Sequence, residues 1–192
     1  MKRKIKKNPS MIAVIATAIL TVMVLTLLKF SSFFKSGEPV EFTTYDGRYS
    51  ITVPYGYRDA GGTISEGAIL ELSDEDHNEK MLIMPCGQDY FDSVEALADY
   101  IEDFYLDELY GSVGYEVTNR TNLIVMGQPA IKMEMRLKYD LPVTCILYFI
   151  QGSEEYLEVQ IWTPEELASS FSEKADSIVG SLKVLSETGV EY

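Results

Sequence analysis

His77, the only histidine of the chain, is the natural candidate for acid–base catalysis because imidazole titrates near neutral pH. It lies in an acidic turn that also carries residue types found at the first three ligand positions of a calcium loop: Asp74, Asp76 and Asn78. However, the sixth position is Glu79 instead of glycine, and the twelfth is Pro85 instead of glutamate. A solvated hairpin tip is therefore the simpler interpretation, and weak divalent binding is the alternative. We predict no metal site.

Motifs for nucleophilic catalysis and phosphate binding are absent from the sequence. There is no G-x-S-x-G, S-x-x-K or H-E-x-x-H, and the pair Gly61-Gly62 is not followed by the GK[ST] of a phosphate loop. Two cysteines and one histidine are too few for a Cys/His zinc site. The 30 carboxylates give no means of selecting a catalytic pair. We therefore predict that the chain is not an enzyme and has no cofactor.

Tyrosine is the most suggestive residue type, with 13 copies in 192 residues. Tyr55 and Tyr57 flank Gly56 in one loop, and Tyr90 and Phe91 are adjacent in another. Aromatic side chains on loops are typical of binding surfaces, although tyrosine also packs at strand ends and under loops. The predicted binding residues are Tyr55, Tyr57, Tyr90 and Phe91. The only tryptophan, Trp162, is predicted to be a packing residue.

The N-terminal region predicts a membrane anchor. Residues 11–28 are apolar except for three threonines, and as a helix they would span about 27 Å, close to the roughly 30 Å hydrocarbon core of a bilayer. Five Lys and Arg residues precede the run, which favours a cytoplasmic N-terminus. No small-residue cleavage site follows the run, and the first cysteine, Cys86, is too distant for a lipoprotein anchor. We therefore expect an uncleaved single-pass protein of the cell membrane with its C-terminal domain outside.

The charge distribution separates this basic head from an acidic body. The whole chain carries −14, but beyond residue 35 nine Lys and Arg stand against 30 Asp and Glu, a net charge of −21. Nucleic acid is excluded as a partner because phosphate binding requires clustered cations. The predicted organisation is a head at 1–10, an anchor at 11–30, a linker at 31–39, an extracytoplasmic domain at 40–186 and a tail at 187–192.

Short segments of alternating hydrophobicity, separated by turn residues, predict strands in the exported domain. We expect strands at residues 41–45, 49–53, 68–72, 80–85, 115–126, 130–139, 143–150 and 156–162. In the sixth, Ile131 and Met133 alternate with Lys132 and Glu134, which predicts one face in the core and one in water. The run 143–150 is apolar on both faces, and we therefore place it at the centre of the sheet.

Two amphipathic helices are predicted. Asp92 and Glu95 form a capping box for the first, whose apolar stripe is expected at Val94, Leu97, Ile101 and Tyr105. Thr163 is the predicted cap of the second, with Pro164 at the first helical position. The order β4-α-β4-α indicates an α+β fold, with an antiparallel sheet of about six to eight strands flanked by the two helices.

Three segments resemble the PsbP-like superfamily. They are the strand Tyr49-Ser-Ile-Thr-Val-Pro54, the turn Met126-Gly-Gln-Pro-Ala130, and the closing helix Ile178-Val-Gly-Ser-Leu-Lys-Val184. The resemblance extends over roughly residues 40–185 and implies an α/β/α sandwich. Because members of this superfamily act mostly as binding or assembly-assisting modules, it also implies a noncatalytic role.

Cys86 and Cys145 leave two alternatives open. An exported domain can keep a disulfide, and the two residues could meet if their strands were close neighbours. Buried cysteines are equally common as free thiols that pack like small hydrophobes. A separation of their Cα atoms beyond about 7 Å would rule out the bond.

The predicted function is a noncatalytic, membrane-tethered extracytoplasmic module that binds a protein or an envelope component. The alternative is a small-ligand or divalent-ion sensing domain, which an apolar pocket lined by loop aromatics would favour. A carboxylate-based envelope hydrolase is a third hypothesis, and it requires two carboxylates roughly 5–10 Å apart in a cleft.

Overall fold

The structure of the chain, a computed structural model, describes residues 37–152 and 154–185. The predicted head, anchor and tail, with most of the linker, lie outside the described residues. Within the described ranges, no helix combines the length and the apolar character needed to cross a membrane.

The described part of the chain contains ten strands and two helical segments. The strands are β1 (Val40–Thr43), β2 (Tyr49–Val53), β3 (Arg58–Asp59), β4 (Leu70–Asp74), β5 (Glu79–Gly87), β6 (Tyr115–Val125), β7 (Gln128–Leu137), β8 (Val143–Gln151), β9 (Glu155–Pro164) and β10 (Lys183–Val184). The first helical segment, α1, covers residues 94–110 and consists of Val94–Tyr100, a π-helical stretch Ile101–Tyr105, and Leu106–Tyr110. The second, α2, is Ala168–Gly180, and 3₁₀ turns lie at Gln88–Tyr90 and Glu165–Leu167.

Seven strands form one antiparallel sheet in the order β3-β4-β5-β9-β8-β7-β6. A second, three-stranded sheet has the order β1-β2-β10. The α+β class and the antiparallel sheet are therefore confirmed, and the run 143–150 does lie near the centre of the sheet, between β9 and β7. The two-residue strands β3 and β10 were not predicted because such short segments carry no alternation to detect.

The large sheet separates two hydrophobic cores. On one face, β2 and α2 pack against residues such as Ile146, Tyr148 and Val159. On the other face, α1 packs against Met133, Leu147 and their neighbours. Successive residues of β7, β8 and β9 alternate between the two cores, as side chains of a strand covered on both faces must.

The predicted water-exposed face of β7 is wrong for its first half. Lys132 is buried, and its ammonium lies 3.0 Å from a carboxylate oxygen of Glu134 and 2.7 Å from one of Asp176 on α2. Ser172 of the same helix accepts a hydrogen bond from Lys132 and donates one to Glu134. Helix α2 therefore covers a face whose charged residues are paired under it and not solvated.

Both helices begin differently from the prediction. Ser93, not Asp92, caps α1, because its hydroxyl oxygen accepts a hydrogen bond from the backbone N–H of Ala96 at 3.1 Å. The π-helical stretch inserts one extra residue per turn, so that Leu106 takes the buried position expected for Tyr105.

Before α2, Thr163 and Pro164 remain in β9, where they pair with Thr144 and Val143. Pairing along the sheet therefore outweighs the local capping signal, and α2 starts after the 3₁₀ turn.

Candidate functional site

The four predicted binding residues occupy two separate places. Tyr57 belongs to the core shared with α2, whereas Phe91 packs against the core under α1 on the opposite face of the sheet. The four residues therefore do not form a single surface.

Tyr57 is an interior residue with none of its surface exposed. Its hydroxyl donates a 2.7 Å hydrogen bond to Glu79, which Lys174 of α2 also contacts. Burial, reinforced by the charge of Glu79, raises the pKa of Tyr57. The role of Tyr57 in the structure is to donate a hydrogen bond to the buried carboxylate of Glu79.

Tyr55 remains exposed, with the guanidinium of Arg58 over its ring at 5.4 Å.

Phe91, which follows Tyr90 in the chain, contacts a row of aromatic side chains on α1 that the sequence did not single out, Tyr100 and Phe104. The Phe91 and Tyr100 ring centroids are 5.4 Å apart, and those of Tyr100 and Phe104 are 5.7 Å apart. Tyr90 is 83% exposed and Phe104 is 66% exposed. We refer to Tyr90, Phe91, Tyr100 and Phe104 as the aromatic strip. Its sequence signal is the i, i+4 pair Tyr100 and Phe104, which lies off the buried stripe of the helix.

Carboxylates surround the aromatic strip. Helix α1 carries acidic residues along its length: Glu95, Asp99, Glu102, Asp103, Asp107 and Glu108. The guanidinium of Arg120 on β6 pairs with Asp99 at 2.6 Å and with Glu102 at 2.8 Å. The remaining carboxylates give the strip a negative rim, so this surface combines large aromatic area with an affinity for cations.

The acidic turn between β4 and β5 is closed by its own hydrogen bonds. The carboxylate of Asp74 accepts from the backbone N–H groups of Asp76 and His77, and it lies 2.7 Å from Nδ1 of His77. Gly56 approaches the same carboxylate so closely that a Cβ atom there would lie 2.7 Å from it. The oxygens of Asp74 therefore already accept hydrogen bonds from within the turn. Among the described residues, no group of three or more side chains is arranged to hold a metal ion.

Cys86 and Cys145 are free thiols, and the strand register separates them. Cys86 pairs with Tyr156 of β9, and Cys145 pairs with Trp162 of the same strand. Six residues along β9 correspond to about 20 Å, well beyond the reach of a disulfide. Burial raises the pKa of Cys86 to about 12 and that of Cys145 well above its ordinary value. The structure therefore favours the alternative of two free thiols.

A cavity of about 410 Å³ opens where one end of the large sheet meets the C-terminal end of α1. Its apolar and aromatic lining residues are Ile64, Tyr110, Leu137, Tyr139, Val143, Trp162 and Pro164, and its polar ones are Asn78, Lys80 and Thr163. Lys80 and Trp162 are directly opposite in the β5–β9 register and therefore share one face of the sheet. Burial raises the pKa of Tyr110, so its phenol is neutral at physiological pH.

Glu158 is a buried carboxyl group under α1. Its side chain is 3% exposed and accepts a 2.6 Å hydrogen bond from the amide of Gln160. Burial raises the pKa of Glu158 to about 7, and the hydrogen bond from Gln160 opposes part of that rise. The group does not line the cavity described above.

Comparison with solved structures identifies the fold. The yeast Ran-binding protein Mog1p from Saccharomyces cerevisiae superposes with a TM-score of 0.57 at 18% identity, over 80% of this chain and 98% of that one. Cyanobacterial PsbP from Synechocystis gives 0.60 at 16% identity, over 79% and 96%. This chain has the PsbP-like fold. LpqN of Mycobacterium tuberculosis, a protein involved in cell envelope biogenesis, gives 0.51 at 13% identity, over 80% and 95%.

The fold predicted from the three sequence segments is therefore confirmed. No protein-family model matches the sequence, and no curated protein matches it significantly. At these identities the PsbP-like fold of the chain is shown, and its function must be argued from its own surface.

Proposed function

We propose that the chain is a noncatalytic binding module, tethered to the cell membrane and exposed outside it, that binds a protein partner through the aromatic strip. The exposed aromatic strip is the observation that carries this proposal. Monomeric proteins seldom leave several adjacent large aromatic side chains open to water without a binding role. Aromatic residues are also the side chains that contribute most to protein interfaces.

The charge of α1 defines the chemistry of the partner. A segment with Lys or Arg side chains can place its ammonium or guanidinium groups over the aromatic faces and against the surrounding carboxylates at the same time. An anionic partner, such as an acidic protein or an anionic lipid surface, would be repelled. The partner we propose is therefore a protein that presents a cationic segment.

Two of the proteins with a similar structure support such a role: one is a Ran-binding protein and another is involved in cell envelope biogenesis. The tether is supported by the apolar run at residues 11–28 and its basic flank. The hydrolase hypothesis receives no support from the cavity, since no carboxylate lines it.

Site-specific photo-crosslinking in the native membrane tests the proposal. A photoreactive phenylalanine analogue replaces Phe104 in the full chain, and in a control chain it replaces Ile124, an equally exposed residue on the edge strand β6. We expect a discrete adduct at position 104 only, lost when Tyr100→Ser is added and weakened by raised ionic strength. The crosslinked peptide, identified by mass spectrometry, should be rich in Lys and Arg.

Equal adducts at both positions, or an adduct with an acidic or uncharged segment, would contradict the proposal. The tether is tested separately, by adding protease to spheroplasts. The domain should be digested and a short N-terminal remnant should remain in the membrane.

A further inference from the structure

The cavity beside Trp162 differs in charge from the rest of the domain. None of its ten lining residues is Asp or Glu, although carboxylates outnumber cations about threefold beyond residue 35. Lys80 is the only charged residue in the lining. Within the described residues, it forms no ion pair, whereas Arg48, Arg120, Lys132, Arg136 and Lys174 all do. The lining of the cavity therefore carries one cation and no carboxylate, within a domain that is strongly acidic.

The walls determine the rest of the ligand. The indole of Trp162 and the rings of Tyr110 and Tyr139 offer flat apolar surface, and Leu137, Val143 and Pro164 complete an aliphatic floor. A volume of about 410 Å³ is within the range of small-molecule sites. The hydroxyl group of a tyrosine can donate a hydrogen bond to an anion.

We propose that this cavity is a binding site for a small monoanion with an apolar body, an aryl- or alkyl-carboxylate, whose carboxylate lies at Lys80 and whose body packs on Trp162. A cation is disfavoured because the ammonium of Lys80 would repel it. A dianion is disfavoured because one lysine cannot offset the field of a body carrying −21. The site is distinct from the aromatic strip and does not depend on the function proposed for it.

Trp162 makes the proposal directly measurable, since it is the only tryptophan of the chain. The full chain in nonionic detergent is titrated with three probes of the same size: phenylbutyrate, its amide and the corresponding amine. We expect a saturable change in tryptophan emission with the carboxylate, at least tenfold weaker binding of the amide, and no saturation with the amine.

Two lysine variants distinguish a site from a general charge effect. Lys80→Met should weaken phenylbutyrate binding roughly tenfold, the loss expected for one charge-assisted contact. Lys138→Met removes the same charge from a residue next to the cavity that does not line it, and should change the affinity less than twofold. Circular dichroism verifies that both variants are folded.

Three results would overturn the proposal: no saturable emission change with phenylbutyrate up to about 10 mM, equal responses to the three probes, or equal losses in the two variants. Equal responses would indicate partitioning into the detergent, and equal losses would indicate the overall charge of the domain.

Discussion

Replacing Glu158 by glutamine should stabilise the domain at alkaline pH and leave it unchanged at acidic pH. Burial raises the pKa of Glu158 from 4.5 in the unfolded chain to about 7 in the fold. The folded state therefore holds the proton more tightly than the unfolded chain. The favourable contribution is complete below about pH 4.5, declines as the pH rises, and is lost above about pH 7.

The size of the effect follows from the shift in pKa. The difference between the two pKa values corresponds to roughly 3 kcal/mol, which is the cost of keeping the ionised carboxylate buried at pH 8. Glutamine has the same shape, cannot ionise, and its carbonyl oxygen can still accept the hydrogen bond from Gln160. Cys86, Cys145, Tyr105 and Tyr110 lie near Glu158 but have raised pKa values of their own, so they do not titrate in this interval.

Urea denaturation of a fragment containing residues 38–192 provides the measurement at pH 4, 6 and 8. The free energy of unfolding of Glu158→Gln should match wild type at pH 4 and exceed it by about 3 kcal/mol at pH 8. Glu154→Gln is the matched control, because Glu154 is exposed and its substitution makes the same change in charge. A constant difference between Glu158→Gln and wild type across the pH range would refute the argument from burial.

Three further predictions concern other parts of the domain. Ser93→Ala should lower the free energy of unfolding by about 1 kcal/mol because it removes the cap of α1, and Ser93→Asp should not. Both thiols should react slowly with a thiol reagent in the folded protein, and two thiols per chain should react in urea. If Cys86 and Cys145 formed a disulfide, no thiol would react in urea. The fragment 38–192 should gain thermal stability as salt rises from about 10 to 150 mM, since screening relieves repulsion within the acidic body, and a flat melting temperature would show that the charges are already paired.

The architecture could be predicted from the sequence because alternation and turn residues act over a few positions. The apolar residues of 143–150 alone predict a central strand, and β8 lies next to the middle strand, β9. Errors arose where distant partners decide the outcome. Thr163 has the local signal of a helix cap, yet pairing with Thr144 keeps it in β9. Lys132 has the signal of a solvated residue, yet α2 covers it and supplies Asp176.

The candidate sites were harder to predict for the same reason. Tyr57 and Tyr55 are indistinguishable in sequence, but one satisfies a buried glutamate and the other is exposed. The cavity combines residues from four strands, three loops and the end of α1, so no local pattern could reveal it. The pair Tyr100 and Phe104 could have been predicted from the sequence. Two aromatic residues four positions apart on the polar side of an amphipathic helix indicate a binding surface.

Helix α1 is the element that both proposed sites share. Tyr100 and Phe104 lie on its exposed side, and Tyr110 at its C-terminal end lines the cavity. The π-helical stretch Ile101–Tyr105 contains Phe104 and lies between Tyr100 and Tyr110. Such stretches are rare and are frequent at functional sites. If a carboxylate in the cavity and a partner on the aromatic strip favour different arrangements of this stretch, each must change the affinity for the other by the same factor. Adding phenylbutyrate during crosslinking at position 104 measures that factor, and an unchanged yield at saturation would show that the two sites act independently.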